Sequence, residues 1–179
     1  MANFGSIVDW ILRLEDRTLA GKTVNLGDGA GWTRFGVTSK NSRGVPSWFW
    51  NSVTDVPRMS NEEAIEVAKQ FYWNDFWTPL QLTHLQNDEL AATLMSFGVN
   101  DGVERATKLL QQALGLQVDG KLGPVTLAAV LKNDSAILAS ELRAAQENFY
   151  HAVVALHPDR LKDLAGWVKR ARAVYPDLP

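Results

Sequence analysis

The sequence predicts a mainly α-helical protein that carries one small β-hairpin after its first helix. Apolar residues recur at the 3.6-residue spacing of an amphipathic helix over most of the chain, and capping residues precede several of these stretches. Glycine is instead concentrated between Gly21 and Gly44, where six of the thirteen glycines lie. With 46% hydrophobic and 21% charged residues, a chain of 179 residues can bury a core without disulfides or metal ions.

The first helix is predicted over residues 3–16. Ile7 and Ile11 lie one helical turn apart and define its apolar face. Ser6 and Asp9 have the spacing of a weak capping box, which places the start of the helix close to them.

The glycine-rich stretch that follows predicts two short strands. Val24 and Asn25 form the first strand, and residues 35–38 form the second. Residues 27–31 connect the strands, because their glycines and aspartate favour turns. This run does not predict a phosphate-binding loop, since it lacks the G-x-G-x-x-G spacing and the strand and helix that flank such a loop.

The rest of the chain predicts six further helices. Ser60 and Glu63 form a capping box, Asn87 is a capping residue, and Pro124 suits a first helical position. The predicted helices cover residues 60–73, 87–98 and 101–115, a short segment from residue 124, and residues 134–156 and 161–174.

Composition excludes several classes of function. The chain has no cysteine and three histidines, so a thiol nucleophile is excluded, and we expect neither a metal site nor a cofactor. A net charge of -2 gives no basis for nucleic-acid binding, and the basic residues of 169–172 are typical of a solvated helix face. No apolar run of about 18 residues predicts stable membrane insertion. The N-terminus lacks the basic region of a signal peptide, so we expect a protein made in the cytoplasm. We also expect a monomer.

Glu15 is the first candidate for chemistry. It continues the apolar stripe of Ile7 and Ile11 and stands in the last turn of the predicted helix. Burial and the negative end of the helix dipole both favour the protonated form of a carboxyl group there. A carboxylic acid that is protonated near neutral pH can act as the general acid in glycoside cleavage. The alternative is a boundary residue that pairs with Arg13 or Arg17.

Asp28 and Thr33 are candidates for a second catalytic group. The glycines between them and Glu15 allow the loop to fold back toward the end of the helix. A second carboxylate, together with a hydroxyl, could then position or activate a water molecule. The alternatives are a turn aspartate that binds its own backbone and an ordinary strand threonine.

These residues lie in a segment that resembles the signature of glycoside hydrolase family 108, a family of bacterial and phage N-acetylmuramidases. The family pattern is a helix-ending Glu-Gly-Gly-Tyr followed by D-x-G-G-x-T-x-x-G-I-T. In the sequence D-G-A-G-W-T-R-F-G-V-T, the residues that match its second part are Asp28, Gly31, Thr33, Gly36 and Thr38. Ala30 replaces a glycine of the pattern and Val37 replaces its isoleucine. The first part departs from the pattern, because residues 15–18 read Glu-Asp-Arg-Thr. Asp16 adds a carboxylate, but adjacent helical residues point about 100° apart and need not share a site.

The second half resembles the peptidoglycan-binding region that accompanies this family. The sequence F-G-V-N-D-G at residues 97–102 and V-D-G-K-L-G-P-V-T at residues 118–126 carry the similarity. The resemblance implies a catalytic lysozyme-like region over residues 1–78 and a helical peptidoglycan-binding region over residues 79–179. We expect the two to pack into one lysozyme-like body.

The resemblance implies a muramidase that cleaves the β-1,4 bond between N-acetylmuramic acid and N-acetylglucosamine in bacterial peptidoglycan. Glu15 would donate the proton, and Asp28 and Thr33 would stabilise the sugar cation or handle the water. The sugar-binding candidates are Trp32, Phe35, Trp48, Trp50 and Asn100, the last of which could instead cap the next helix.

Two other functions stay open at this point. A non-catalytic module that binds the cell wall or assists secretion is one, and a glycosidase of chitin-type polymers is the other. The resemblance suits an endolysin that reaches the wall through a holin pore, or a bacterial enzyme with a dedicated secretion route.

Overall fold

The computed structural model describes residues 1–25, 27, 31–40, 44–50 and 59–178, with the side chains of Ser47 and Trp48 excepted. Within these residues the structure has seven α-helices and three short strands. The helices are α1 (Phe4–Glu15), α2 (Asn61–Tyr72), α3 (Asp88–Asp101), α4 (Val103–Ala113), α5 (Pro124–Lys132), α6 (Ser135–Leu156) and α7 (Leu161–Ala171). The mainly α-helical fold with a small sheet after the first helix is confirmed.

Short helical turns join some of these helices. Three have 3₁₀ geometry, at Ser47–Trp50, Leu82–His84 and Pro158–Arg160. A π-helical turn at Trp73–Trp77 follows α2 directly.

The small sheet is antiparallel and has the order β1 (Val24–Asn25), β2 (Trp32–Arg34), β3 (Val37–Thr38). Val24 pairs with Thr33, and Arg34 pairs with Val37. The second predicted strand therefore began too early, because residues 35 and 36 form a two-residue turn between β2 and β3. The strand β2 was not predicted.

Local capping signals account for most helix starts. The Ser60 side chain accepts the Glu63 N–H while the Glu63 carboxylate accepts the Ser60 N–H, which confirms the predicted capping box. The prediction of a box at Ser6 and Asp9 was wrong. The Asn3 side chain accepts the Ser6 N–H instead, so α1 begins one turn earlier than that box implies.

The chain divides into two packing units, and the first comprises Val8–Asp75. Its core joins α1, the sheet, the first 3₁₀ turn and α2. The buried residues include Val8, Ile11, Leu12, Phe35, Val37, Phe49, Trp50, Ala64, Ala68 and Tyr72. An ion pair of 3.1 Å between Asp9 and Lys69 links the outer faces of α1 and α2.

The second unit comprises Met1–Ile7 and Phe76–Pro179. Here α3 is buried over most of its length, and α4, α6 and α7 pack against it. Its buried polar residues include Gln111, Thr126 and Gln146. The boundary predicted after residue 78 stays a prediction.

Candidate active site

Glu15 is the last residue of α1, and its side chain is half-buried. It lines a cleft of about 500 Å³, a volume typical of ligand-binding sites. The lining comprises residues 15–18, 20, 22, 24 and 33–36. All of them belong to the Val8–Asp75 unit. The predicted proton donor therefore stands in the wall of a cleft built from the end of α1, the loop after it and the sheet.

The loop after α1 is organised by Asp16. Its carboxylate accepts the Gly21 N–H at 2.7 Å and the Thr18 hydroxyl at 3.1 Å. Partial burial raises the pKa of Asp16, but these hydrogen bonds outweigh it, so the pKa lies below its usual value. Asp16 is thus an anionic anchor of the loop and is poorly suited to donate a proton.

The turn between β2 and β3 lies against Glu15. Phe35 and Gly36 have φ of 48° and 76°, the left-handed backbone of a two-residue type I′ hairpin turn. The Tyr72 hydroxyl on α2 donates to the Phe35 carbonyl at 3.0 Å. A Cβ at position 36 would lie 2.7 Å from Glu15 Cγ and 2.9 Å from Cδ, and would also collide with the Tyr72 hydroxyl. Glycine therefore leaves the space that the Glu15 carboxyl group occupies.

Arg34 holds the surrounding segments together from inside the unit. Its side chain is buried, and its six hydrogen bonds to described residues all go to neutral oxygens. The acceptors are the carbonyls of Gly21, Phe49, Met59 and Ser60 and the side-chain oxygen of Asn61. Desolvation lowers the pKa of this guanidinium. The arginine thus fixes the loop after α1, the 3₁₀ turn and the start of α2 around one point.

Among the predicted catalytic residues, the structure brings Glu15 and Thr33 to the same cleft. Thr33 lies on β2 and is half-buried, and its partner Val24 also lines the cleft. Asp28 lies outside the described residues.

The aromatic candidates for sugar binding differ in exposure. Trp32 is 40% exposed on β2. Phe35 and Trp50 are in the core instead: the Phe35 ring lies against Gly21, and the Trp50 indole donates to the Val37 carbonyl at 2.8 Å. Rings this buried offer no open face for stacking on a sugar. The side chain of Trp48 lies outside the described residues.

Asn100 lies near the end of α3 in the second unit. Its side-chain amide donates to the Tyr150 hydroxyl and, at 3.1 Å, to Asp101. It does not cap α4, because Gly102 occupies the N-cap position without a side-chain hydrogen bond. Burial, followed by the Asp101 contact, raises the pKa of Tyr150 well above its usual value.

Three residues of the site were missed in the sequence analysis. Tyr72 continues the buried face of Ala64 and Ala68 at four-residue spacing, a signal that could have identified it. Gly36 was treated as part of a strand. No feature of the sequence indicated that Arg34 is buried, because a charged residue is usually exposed.

The predicted wall-binding motif of the second unit is held in a turn by Gln111. Buried Gln111 donates to Asp119, the Lys121 carbonyl and Thr126, and accepts the N–H groups of Asp119 and Gly120. These bonds fold residues 118–126 into a turn that leads to α5. The motif therefore has a structural role.

No cluster of His, Asp or Glu side chains in the described part of the chain could hold a metal ion. The described helices also include none with the length and apolar character to cross a bilayer.

Comparison with known proteins agrees with this architecture. The family described as Glycosyl hydrolase 108 matches residues 8–102, and the region described as "Predicted Peptidoglycan domain" matches residues 105–172. The structure of Brucella abortus SagA is similar over 97% of this chain and 96% of its own, with 22% sequence identity and a TM-score of 0.65. At that identity the similarity concerns the fold. No curated protein shows a significant match to this sequence.

Proposed function

Because the chain belongs to the glycosyl hydrolase 108 family, we propose that Glu15 is the general acid with which it cleaves the glycan strands of peptidoglycan. Membership makes the chain a glycoside hydrolase, and the family together with the peptidoglycan region makes peptidoglycan its substrate. The bond that we assign to it is the β-1,4 linkage between N-acetylmuramic acid and N-acetylglucosamine.

One observation carries the role of Glu15: its half-buried carboxyl group ends α1 in the wall of the cleft. Glycoside cleavage requires a carboxylic acid that protonates the leaving oxygen while positive charge develops on the sugar. The adjacent carboxylate is less suited to this part, because the hydrogen bonds of the loop lower the pKa of Asp16.

We assign the remaining catalytic roles, beside the proton donor, to Asp28 and Thr33. Thr33 lines the cleft with Glu15, and a threonine hydroxyl can hydrogen-bond a water molecule. Asp28 falls in the connection between two residues of the lining, Val24 and Thr33. We propose that the carboxylate stabilises the sugar cation or activates the water, and that the hydroxyl orients the water.

Glu15→Gln tests the proton donor, with Glu62→Gln as a matched control, because Glu62 is an exposed glutamate on α2. The substrate is purified peptidoglycan, and mass analysis of the products identifies the sugar that carries each new reducing end. We expect new ends on muramic acid with the wild type and the control, and a loss of about a hundredfold or more with Glu15→Gln.

Other outcomes would reject the proposal. Full activity of a folded Glu15→Gln protein would remove Glu15 from the mechanism. Binding to peptidoglycan without cleavage would favour a wall-binding module, and faster cleavage of chitin oligomers would favour a chitin-type glycosidase.

We also propose that the enzyme acts as an endolysin and lyses cells after holin-type or dedicated release. The support is the location of the substrate, which lies outside the cytoplasmic membrane. Expression in a bacterial host with and without a co-expressed holin tests this: turbidity should fall only in cells that make both proteins. Equal lysis without the holin would contradict holin dependence.

A further inference from the structure

Arg17 and Lys22 stand on the rim of the cleft that holds Glu15. Both are exposed, and both line the cleft. Within the described ranges, neither forms a hydrogen bond or an ion pair with another residue. Both positive charges are therefore available to a ligand in the cleft.

The nearest carboxylate in the sequence does not neutralise them. Asp16 directs its two oxygens to the Gly21 N–H and the Thr18 hydroxyl, inside the loop. Residue 17 also stands where the family pattern has a glycine, so the charge of Arg17 is a feature of this chain and not of the pattern.

The net charge of the described cleft lining is positive, whereas the net charge of the whole chain is negative. The described lining has three cations, Arg17, Lys22 and Arg34, against two acidic groups, Glu15 and Asp16. The described lining thus has one positive charge in excess, whereas the chain has a net charge of -2. A cleft of this kind concentrates anionic ligands.

We infer that Arg17 and Lys22 form a binding site for carboxylate groups of the substrate. This inference rests on the proposed function. The muramic acid units of peptidoglycan bear peptides with free carboxylates, whereas chitin-type glycans bear none. A guanidinium can bind a carboxylate through two parallel hydrogen bonds, and an ammonium adds a second charge beside it. The pair thereby selects peptide-bearing strands over neutral glycans.

The test compares the double variant Arg17→Gln/Lys22→Gln with the control Arg13→Gln/Lys40→Gln. The control removes two exposed cations of the same unit that do not line the cleft. Each protein acts on native sacculi and on sacculi whose carboxylates have been converted to neutral amides with carbodiimide and ammonia. The readouts are kcat/KM for reducing-end release and co-sedimentation, both at low ionic strength.

We expect kcat/KM on native sacculi to be about threefold to tenfold lower for the rim variant than for the control. This difference in kcat/KM between the two variants should disappear on amidated sacculi and become smaller at high salt. Equal rates for the two variants on native sacculi, or a gap that persists after amidation, would overturn the inference. Failure of the proposed function looks different, because the wild type would then release no reducing ends.

Discussion

Gly36 lies against the carboxyl group of Glu15, so closely that a Cβ at position 36 would be 2.7 Å from Glu15 Cγ. The two residues are 21 positions apart in the sequence, and the hairpin turn brings them together. The position of the proposed acid thus depends on a residue that has no side chain.

Gly36→Ala should lower kcat by about tenfold to a hundredfold, because the new methyl group must displace Glu15 or the turn. Gly44→Ala is the matched control. Gly44 has φ of 79° but no atom near its missing Cβ, so it carries the same backbone strain without the collision. Steady-state kinetics and thermal unfolding of both variants check this. A similar kcat for the two variants would show that the contact with Glu15 is unimportant.

Tyr72→Phe should lower kcat severalfold and destabilise the protein by about 1–3 kcal/mol, because the buried Phe35 carbonyl loses its donor. Thr83→Val is a comparison variant, since it removes the acceptor of the Trp77 indole in the other packing unit. Urea unfolding and kinetics together separate stability from positioning. If both variants lose stability and keep kcat, Tyr72 does not position the turn.

Arg34→Met should destabilise the protein by about 3 kcal/mol or more, because several carbonyl oxygens would be left without donors. Arg13→Met, at an exposed position of α1, should change the unfolding free energy by less than about 0.5 kcal/mol. Urea denaturation of both variants measures the difference. A small effect at Arg34 would mean that the segments around it are held by other contacts.

Asp16→Asn should make the free energy of unfolding depend less on pH in the acidic range. The pKa of Asp16 is lower in the folded protein than its usual value of 3.8, so its charged form stabilises the fold above that value. This stabilisation is lost as the pH falls through the lowered pKa of the folded state. The difference in unfolding free energy between wild type and variant should therefore be largest at neutral pH and narrow below about pH 4.

Urea unfolding at several pH values measures that difference, and Glu62→Gln supplies an exposed comparison. A difference that stays constant or widens toward acid pH would contradict the role of Asp16 as an anionic anchor.

Local signals predicted most of the helices. Asn87 caps α3 with its side chain and Pro124 opens α5, each as its sequence pattern indicates. These signals succeed because a cap binds backbone groups only two or three residues away. The sheet was predicted less well, since a Phe with φ of 48° at position 35 contradicts local preference.

The amino-acid pattern alone determined that an acidic residue ends the first helix and that a glycine-rich hairpin follows it. Only the tertiary structure decided that Gly36 and Tyr72 lie beside that acid and that Arg34 is buried in the same unit. The physical reason is the range of the interactions. Helix caps and periodicity act within a few residues, whereas the strain of the turn and the burial of a guanidinium are offset by contacts between segments far apart in the chain.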